Sequence, residues 1–133
     1  VKTVTNCQLG ATGMDMQESI SLSYADGKMA NLQAGARCLH DRQGVISGTE
    51  GYIRIDNVNC PERVEVYRNY ALVATYEKPS DMISGYEYQV MESRRSIEAG
   101  LLESPMMPHA ETISVMHQMD SLRKEWGVKY PMD

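Results

Sequence analysis

The sequence predicts an α+β fold: a mostly antiparallel open sheet of about six strands, followed by two C-terminal helices packed on one face. Two observations carry this expectation. Residues 1 to about 78 alternate with the period of a strand and are punctuated by turn residues, whereas residues 81 to 127 carry helix signals. Strands in one run and helices in another put the helices on one side of an antiparallel sheet. The 133 residues are read as a single domain, 1–133, long enough to bury a core.

The stretch Lys2 to Leu9 holds Thr3, Val4 and Thr5 and reads as the first strand. Met16 to Tyr24 alternates most clearly. Met16, Ile20, Leu22 and Tyr24 fall on one face, and Gln17, Ser19, Ser21 and Ser23 on the other. Asp26-Gly27 then supplies a tight turn. The return strand, about Met29 to Arg37, puts the short side chains Ala34 and Ala36 beside Leu32, so that something can pack closely. A second hairpin covers Gly44 to Asp56, turning at Gly48-Thr49-Glu50-Gly51. The last strands are about Arg63 to Arg68 and Ala71 to Tyr76, joined at Asn69-Tyr70.

Ser84 followed by Glu87 is a capping box and starts the first helix. Tyr86, Val90, Ile97 and Leu101 form its apolar stripe, and Gly100 stops it. The second helix begins near Pro108, where a missing amide costs nothing. Its stripe is Ile113, Met116, Met119, Leu122 and Trp126, and Gly127 ends it. Arg123 and Lys124 oppose the helix dipole in the last turn. Among the 10 methionines, Met116 and Met119 are expected as core filler between helix and sheet. Arg94 and Arg95 belong to a solvated face.

Composition excludes several function classes. The chain is 42% hydrophobic and 23% charged, with a net charge of −5. That balance argues against nucleic acid as a partner, which would need a basic stripe. No apolar run reaches the roughly 18 residues of a membrane span, so no membrane partner is expected. Cys7, Cys38 and Cys60 are an odd set without close spacing. They fit a reducing, cytoplasmic setting, and each is read as a buried, inert thiol with no histidine partner local in sequence, a pairing in space being left open. His40 sits in a polar loop with Asp41 and Arg42. His109 and His117 lie too far apart to share a metal, so no metal site is expected. No G-x-G occurs, which removes both the dinucleotide fingerprint and the P-loop. No catalytic and no cofactor-binding residue emerges. The chain begins with Val1, which suggests processing or a piece of something longer.

Taken together, the motifs have a resemblance. Ile46-Ser47-Gly48-Thr49-Glu50-Gly51-Tyr52-Ile53, then Cys60-Pro61, resembles the central hairpin and loop of the Gfo/Idh/MocA oxidoreductases. Gly85-Tyr86-Glu87-Tyr88, Gly100-Leu101-Leu102-Glu103-Ser104-Pro105 and Trp126-Gly127-Val128-Lys129-Tyr130-Pro131 resemble the end of that family, in its trans-dihydrodiol and xylose dehydrogenase-like branch. The resemblance implies the C-terminal part of a two-domain oxidoreductase, without its N-terminal Rossmann domain and catalytic helix. The parent would use NAD or NADP on a sugar or cyclic diol, while this part alone would bind no cofactor and be inactive. It would wall the substrate pocket, meet its missing Rossmann domain, and form a homo-oligomer through the sheet face. Asn59 and Met82 would stand on the pocket rim. Met82 is expected as the most exposed apolar residue of its loop, and Asn59 stands where relatives often carry an aromatic residue. Glu77-Lys78-Pro79 matches the family's catalytic tripeptide in letters, but it follows a strand of the wrong domain and is read as coincidence. The alternative is a stand-alone, non-enzymatic interaction or ligand-binding domain.

Overall fold

Alternation and turn chemistry translate into seven strands and two helices in the computed structural model, which describes residues 1–130. Pro131, which closes the last resembling motif, lies outside the described residues. The strands are β1 (Lys2–Leu9), β2 (Asp15–Ser23), β3 (Met29–Gly35), β4 (Gly44–Ser47), β5 (Gly51–Ile55), β6 (Arg63–Arg68) and β7 (Ala71–Glu77). The helices are α1 (Tyr86–Glu98) and α2 (His109–Trp126). The α+β class holds, with antiparallel pairing throughout. In place of one sheet of about six strands there are two, ordered β1-β2-β3 and β4-β5-β6-β7. Alternation identifies strands but not their neighbours. The stretch 36–43, with Arg42 at a φ of 55°, adds no strand between β3 and β4.

The chain divides into two compact units, Val1–His40 with the stretch from Met107 on, and Asp41–Met106. In the first unit, register puts Thr3, Thr5, Ile20, Leu22, Ala30 and Leu32 on one face. The other face holds Asn6, Gln8, Gln17, Ser19, Ser21, Asn31 and Gln33, and Ser21 donates to Asn31 Oδ1 at 2.8 Å. The end of α2 docks on the first face. Trp126 Nε1 donates to Thr5 Oγ1 at 2.9 Å, and the Thr5 hydroxyl donates to Glu125. Gly127, at a φ of 72°, then reverses the chain so that the Val128 amide reaches Arg123 O at 3.0 Å. Val128 and Leu22 are the buried apolar side chains among the described residues.

In the second unit, Ile46, Ile53, Val66 and Ala74 line up on one face of the four-stranded sheet, next to Ile55, Val64 and Tyr76. The opposite face carries Tyr52, Arg54, Glu65 and Tyr67. Gly51 is required by space: a Cβ there would land on the Tyr67 carbonyl of β6.

The expected helix stripes are largely uncovered, with Leu122 and Trp126 at the end of α2 half-buried. Tyr86, Val90, Ile97 and Ile113 are exposed. Met116 and Met119 are exposed at 51% and 50%, so they are not core filler. The accessible surface totals 10910 Å². Even two separate compact bodies of half this mass would together expose only about 8,500 Å². Patterning records which face is apolar, but whether that face is covered depends on what lies against it.

Candidate functional site

The two loops that hold Asn59 and Met82 meet within the second unit. The β5–β6 loop turns at Asn57, whose φ is 49° and whose carbonyl accepts the Cys60 amide at 2.9 Å. Cys60 Sγ donates to Ser84 O in the β7–α1 loop at 3.2 Å. Lys78 ties the same two loops together. Its amide donates to Glu62 O at 2.8 Å, its ammonium pairs with Glu62 Oε1 at 3.2 Å and donates to Ile83 O at 3.4 Å. Lys78 is thus engaged as a brace between loops.

Asn59 is exposed on this paired rim. Met82 is half-buried, and its neighbour Ile83 is the apolar side chain that projects, at 85% exposure. The expectation for Met82 therefore shifts by one residue. Glu87 accepts the Ile83 and Ser84 amides at 3.0 and 3.2 Å, which fixes the backbone of this loop.

That carboxylate also decides what the start of α1 can bind. Glu87 is held down to about 2 by its own backbone amide and by those of Ile83 and Ser84. Only the glutamate half of the expected capping box forms: the N-cap is Gly85, at a φ of 84° and without a side-chain cap, and Ser84, one residue earlier, accepts the Tyr86 amide at 3.3 Å instead of that of Glu87. The anion position at this helix start is filled by the chain itself. At the start of α2, Pro108 has no amide to offer and Glu111 puts a negative charge in the first turn. Among the described residues, no group of three or more His, Cys, Asp and Glu side chains comes together to hold a metal.

On the polar face of the four-stranded sheet, the Tyr52 and Tyr67 rings stack with centroids 4.5 Å apart and planes 9° apart. Buried Glu65 accepts the Tyr67 hydroxyl at 2.8 Å and pairs with Arg54 at 2.5 Å and Arg63 at 3.6 Å. The Tyr67 hydrogen bond and the two guanidiniums hold the Glu65 carboxyl below its usual range, and the same bond raises the Tyr67 phenol. Every charge in this cluster has a partner, so it stiffens the sheet rather than offering a free acid or base.

The cysteines do not behave alike. Cys7 and Cys60 are half-buried, whereas Cys38 is exposed. Burial pushes the Cys7 thiol up, reinforced by Asp15 and Glu18. Cys38 Sγ lies 3.0 Å from His40 Nε2, which overturns the reading of three buried thiols without a local histidine. The C-x-H spacing of Cys38 and His40 after a glycine-ended strand is visible in the sequence, inside a loop whose polar neighbours Asp41 and Arg42 read as solvated.

No family model matches the chain. It is 29% identical over 127 residues to a trans-1,2-dihydrobenzene-1,2-diol dehydrogenase of Danio rerio, covering 92% of this chain and 38% of that protein. It is 30% identical over 129 residues to the Xenopus tropicalis protein of the same name, covering 92% and 39%. It is 30% identical over 126 residues to the scyllo-inositol 2-dehydrogenase (NADP(+)) IolU of Bacillus subtilis (strain 168), covering 92% and 37%. The chain spans little more than a third of the length of the curated relatives it matches. At low identity but over most of its own length, the chain matches the C-terminal part of the Gfo/Idh/MocA oxidoreductase family.

Proposed function

We propose that this chain is the substrate-pocket and oligomerisation part of an NAD(P)-dependent oxidoreductase that moves hydride between the nicotinamide and a hydroxyl or carbonyl carbon of a sugar or cyclic diol. The observation that carries the reading is similarity over 92% of the chain to diol and inositol dehydrogenases more than twice its length. The nicotinamide supplies hydride chemistry, and the enzyme around it orients the reacting carbon. In this reading the braced rim of Asn59, Lys78, Met82 and Ile83 borders the substrate, and cofactor and catalytic lysine sit in the Rossmann domain of the parent.

The exposed apolar row of the four-stranded sheet supports a covered face in the working enzyme. Ile46 and Tyr76 at its edges are exposed at 60% and 63%. A second copy of the chain is the proposed cover, giving a homo-oligomer through the sheet.

Calorimetry with NADH and NADPH tests the partition of roles. Binding to this chain alone is expected to be no tighter than millimolar, because Glu87 occupies the start of α1 and the sequence holds no glycine-rich phosphate loop. Micromolar binding overturns the proposal. Sedimentation tests the cover: the chain is expected to self-associate as its concentration rises, and a monomer at all concentrations contradicts the oligomer.

A further inference from the structure

We propose that Cys38 and His40 form a thiol–imidazole dyad that reacts with low-molecular-weight disulfides, making Cys38 a site of mixed-disulfide modification. The pair stands in the first unit, just past the end of β3. Both side chains are exposed, and Sγ lies 3.0 Å from Nε2. Gly35 makes the approach possible. A Cβ at Gly35 would run into Cys38 Sγ and stand 3.4 Å from His40 Nε2, so the sulfur and the imidazole share the space that a glycine leaves open.

The other thiols lack each of these features. Cys60 is half-buried and spends its proton on the Ser84 carbonyl. Cys7 is half-buried beside the carboxylates of Asp15 and Glu18, which oppose a thiolate. Cys38 alone of the three combines access with a base in hydrogen-bonding reach. Arg37 precedes it directly in the chain, a cation suited to a disulfide that carries carboxylates.

The reaction balances without a metal or an enzyme. Cys38 Sγ attacks one sulfur of a disulfide such as oxidised glutathione, and His40 Nε2 takes the thiol proton. The bond from Cys38 to that sulfur forms as the original S–S bond breaks. The departing thiolate is reduced and takes the proton from His40, leaving as a thiol, while Cys38 is oxidised to the mixed disulfide. A thiol reductant reverses it.

The test uses the whole chain, fully reduced, mixed with oxidised glutathione, quenched at intervals, and read by intact mass and peptide mapping. The first adduct is expected on Cys38, at least about tenfold faster than on Cys60. Cys38→Ser is expected to abolish that adduct. His40→Gln is expected to slow modification at Cys38 by about tenfold or more and to leave the rates at Cys7 and Cys60 unchanged. A first adduct on Cys7 or Cys60, or an unchanged Cys38 rate in His40→Gln, overturns the proposal.

Discussion

Gly51→Ala should destabilise the chain by about 2–4 kcal/mol, whereas Gly48→Ala, three residues away in the same turn, should not destabilise it. At Gly51 the new Cβ would fall on Tyr67 O, with Tyr67 C at 3.0 Å and Arg68 Cα at 3.1 Å. All three obstacles are backbone, so no side-chain rotation relieves them. β5 and β6 must part where Gly51 faces Arg68 and Tyr52 faces Tyr67. Overpacking of this kind costs about 1–3 kcal/mol. One ladder hydrogen bond lost adds about 1 kcal/mol. At Gly48 the nearest atom is Gly51 O at 3.6 Å, an ordinary contact, and its φ is not left-handed. Alanine there should be neutral or stabilising by up to about 0.5 kcal/mol, through the unfolded chain. Urea and thermal unfolding followed by circular dichroism measure both variants, with a fall in Tm of roughly 8 °C or more expected for Gly51→Ala in the thermal scan. If the two variants unfold together, the close approach of β5 and β6 at Gly51 is wrong.

Trp126→Phe keeps the ring bulk but removes the Nε1 donor to Thr5, and should cost about 1 kcal/mol in the same unfolding assay. Thr5→Val removes that bond together with the one to Glu125, so it should cost more than Trp126→Phe, and the double variant should cost little more than Thr5→Val alone. Glu87 has a pKa near 2 in the folded chain against a usual value of 4.5. Its contribution to stability is therefore complete above 4.5 and is lost as the pH falls from there through 2; Glu87→Gln should flatten the stability profile across that window and leave the slope near neutrality unchanged. Lys78→Met removes the ammonium that joins the β5–β6 and β7–α1 loops, and limited proteolysis should then cut faster within residues 56–62 and 79–84. Equal cutting of both proteins would mean that the backbone bond from Lys78 to Glu62 suffices.

The elements were legible because their signals are local. The Lys2–Leu9 and Arg63–Arg68 strands emerge with the bounds expected of them, since β-branched residues and flanking turns act over neighbouring positions. The Asn69-Tyr70 turn, with φ of 48° and 65°, forms where two alternating runs meet, and Gly127 ends α2 as a left-handed cap. The proposed rim was half legible. Its two loops follow from turn signals, yet the exposure of Ile83 in place of Met82 belongs to a backbone held by Glu87, and the bracing by Lys78 depends on Glu62, 16 residues away.

The sequence by itself determined the α+β class, most of the strand segments, the two helical stretches, the glycine end of α2 and the apolar identity of each face, because periodicity and capping are set by residues within a turn or two of one another. Only the tertiary structure decided that the strands divide between two sheets, that Met116 and Met119 stay exposed, and that Cys38 acquires His40. Those outcomes depend on which surfaces meet. Sheet neighbours, cover for an apolar stripe and the space above Gly35 are properties of chain positions brought together in three dimensions.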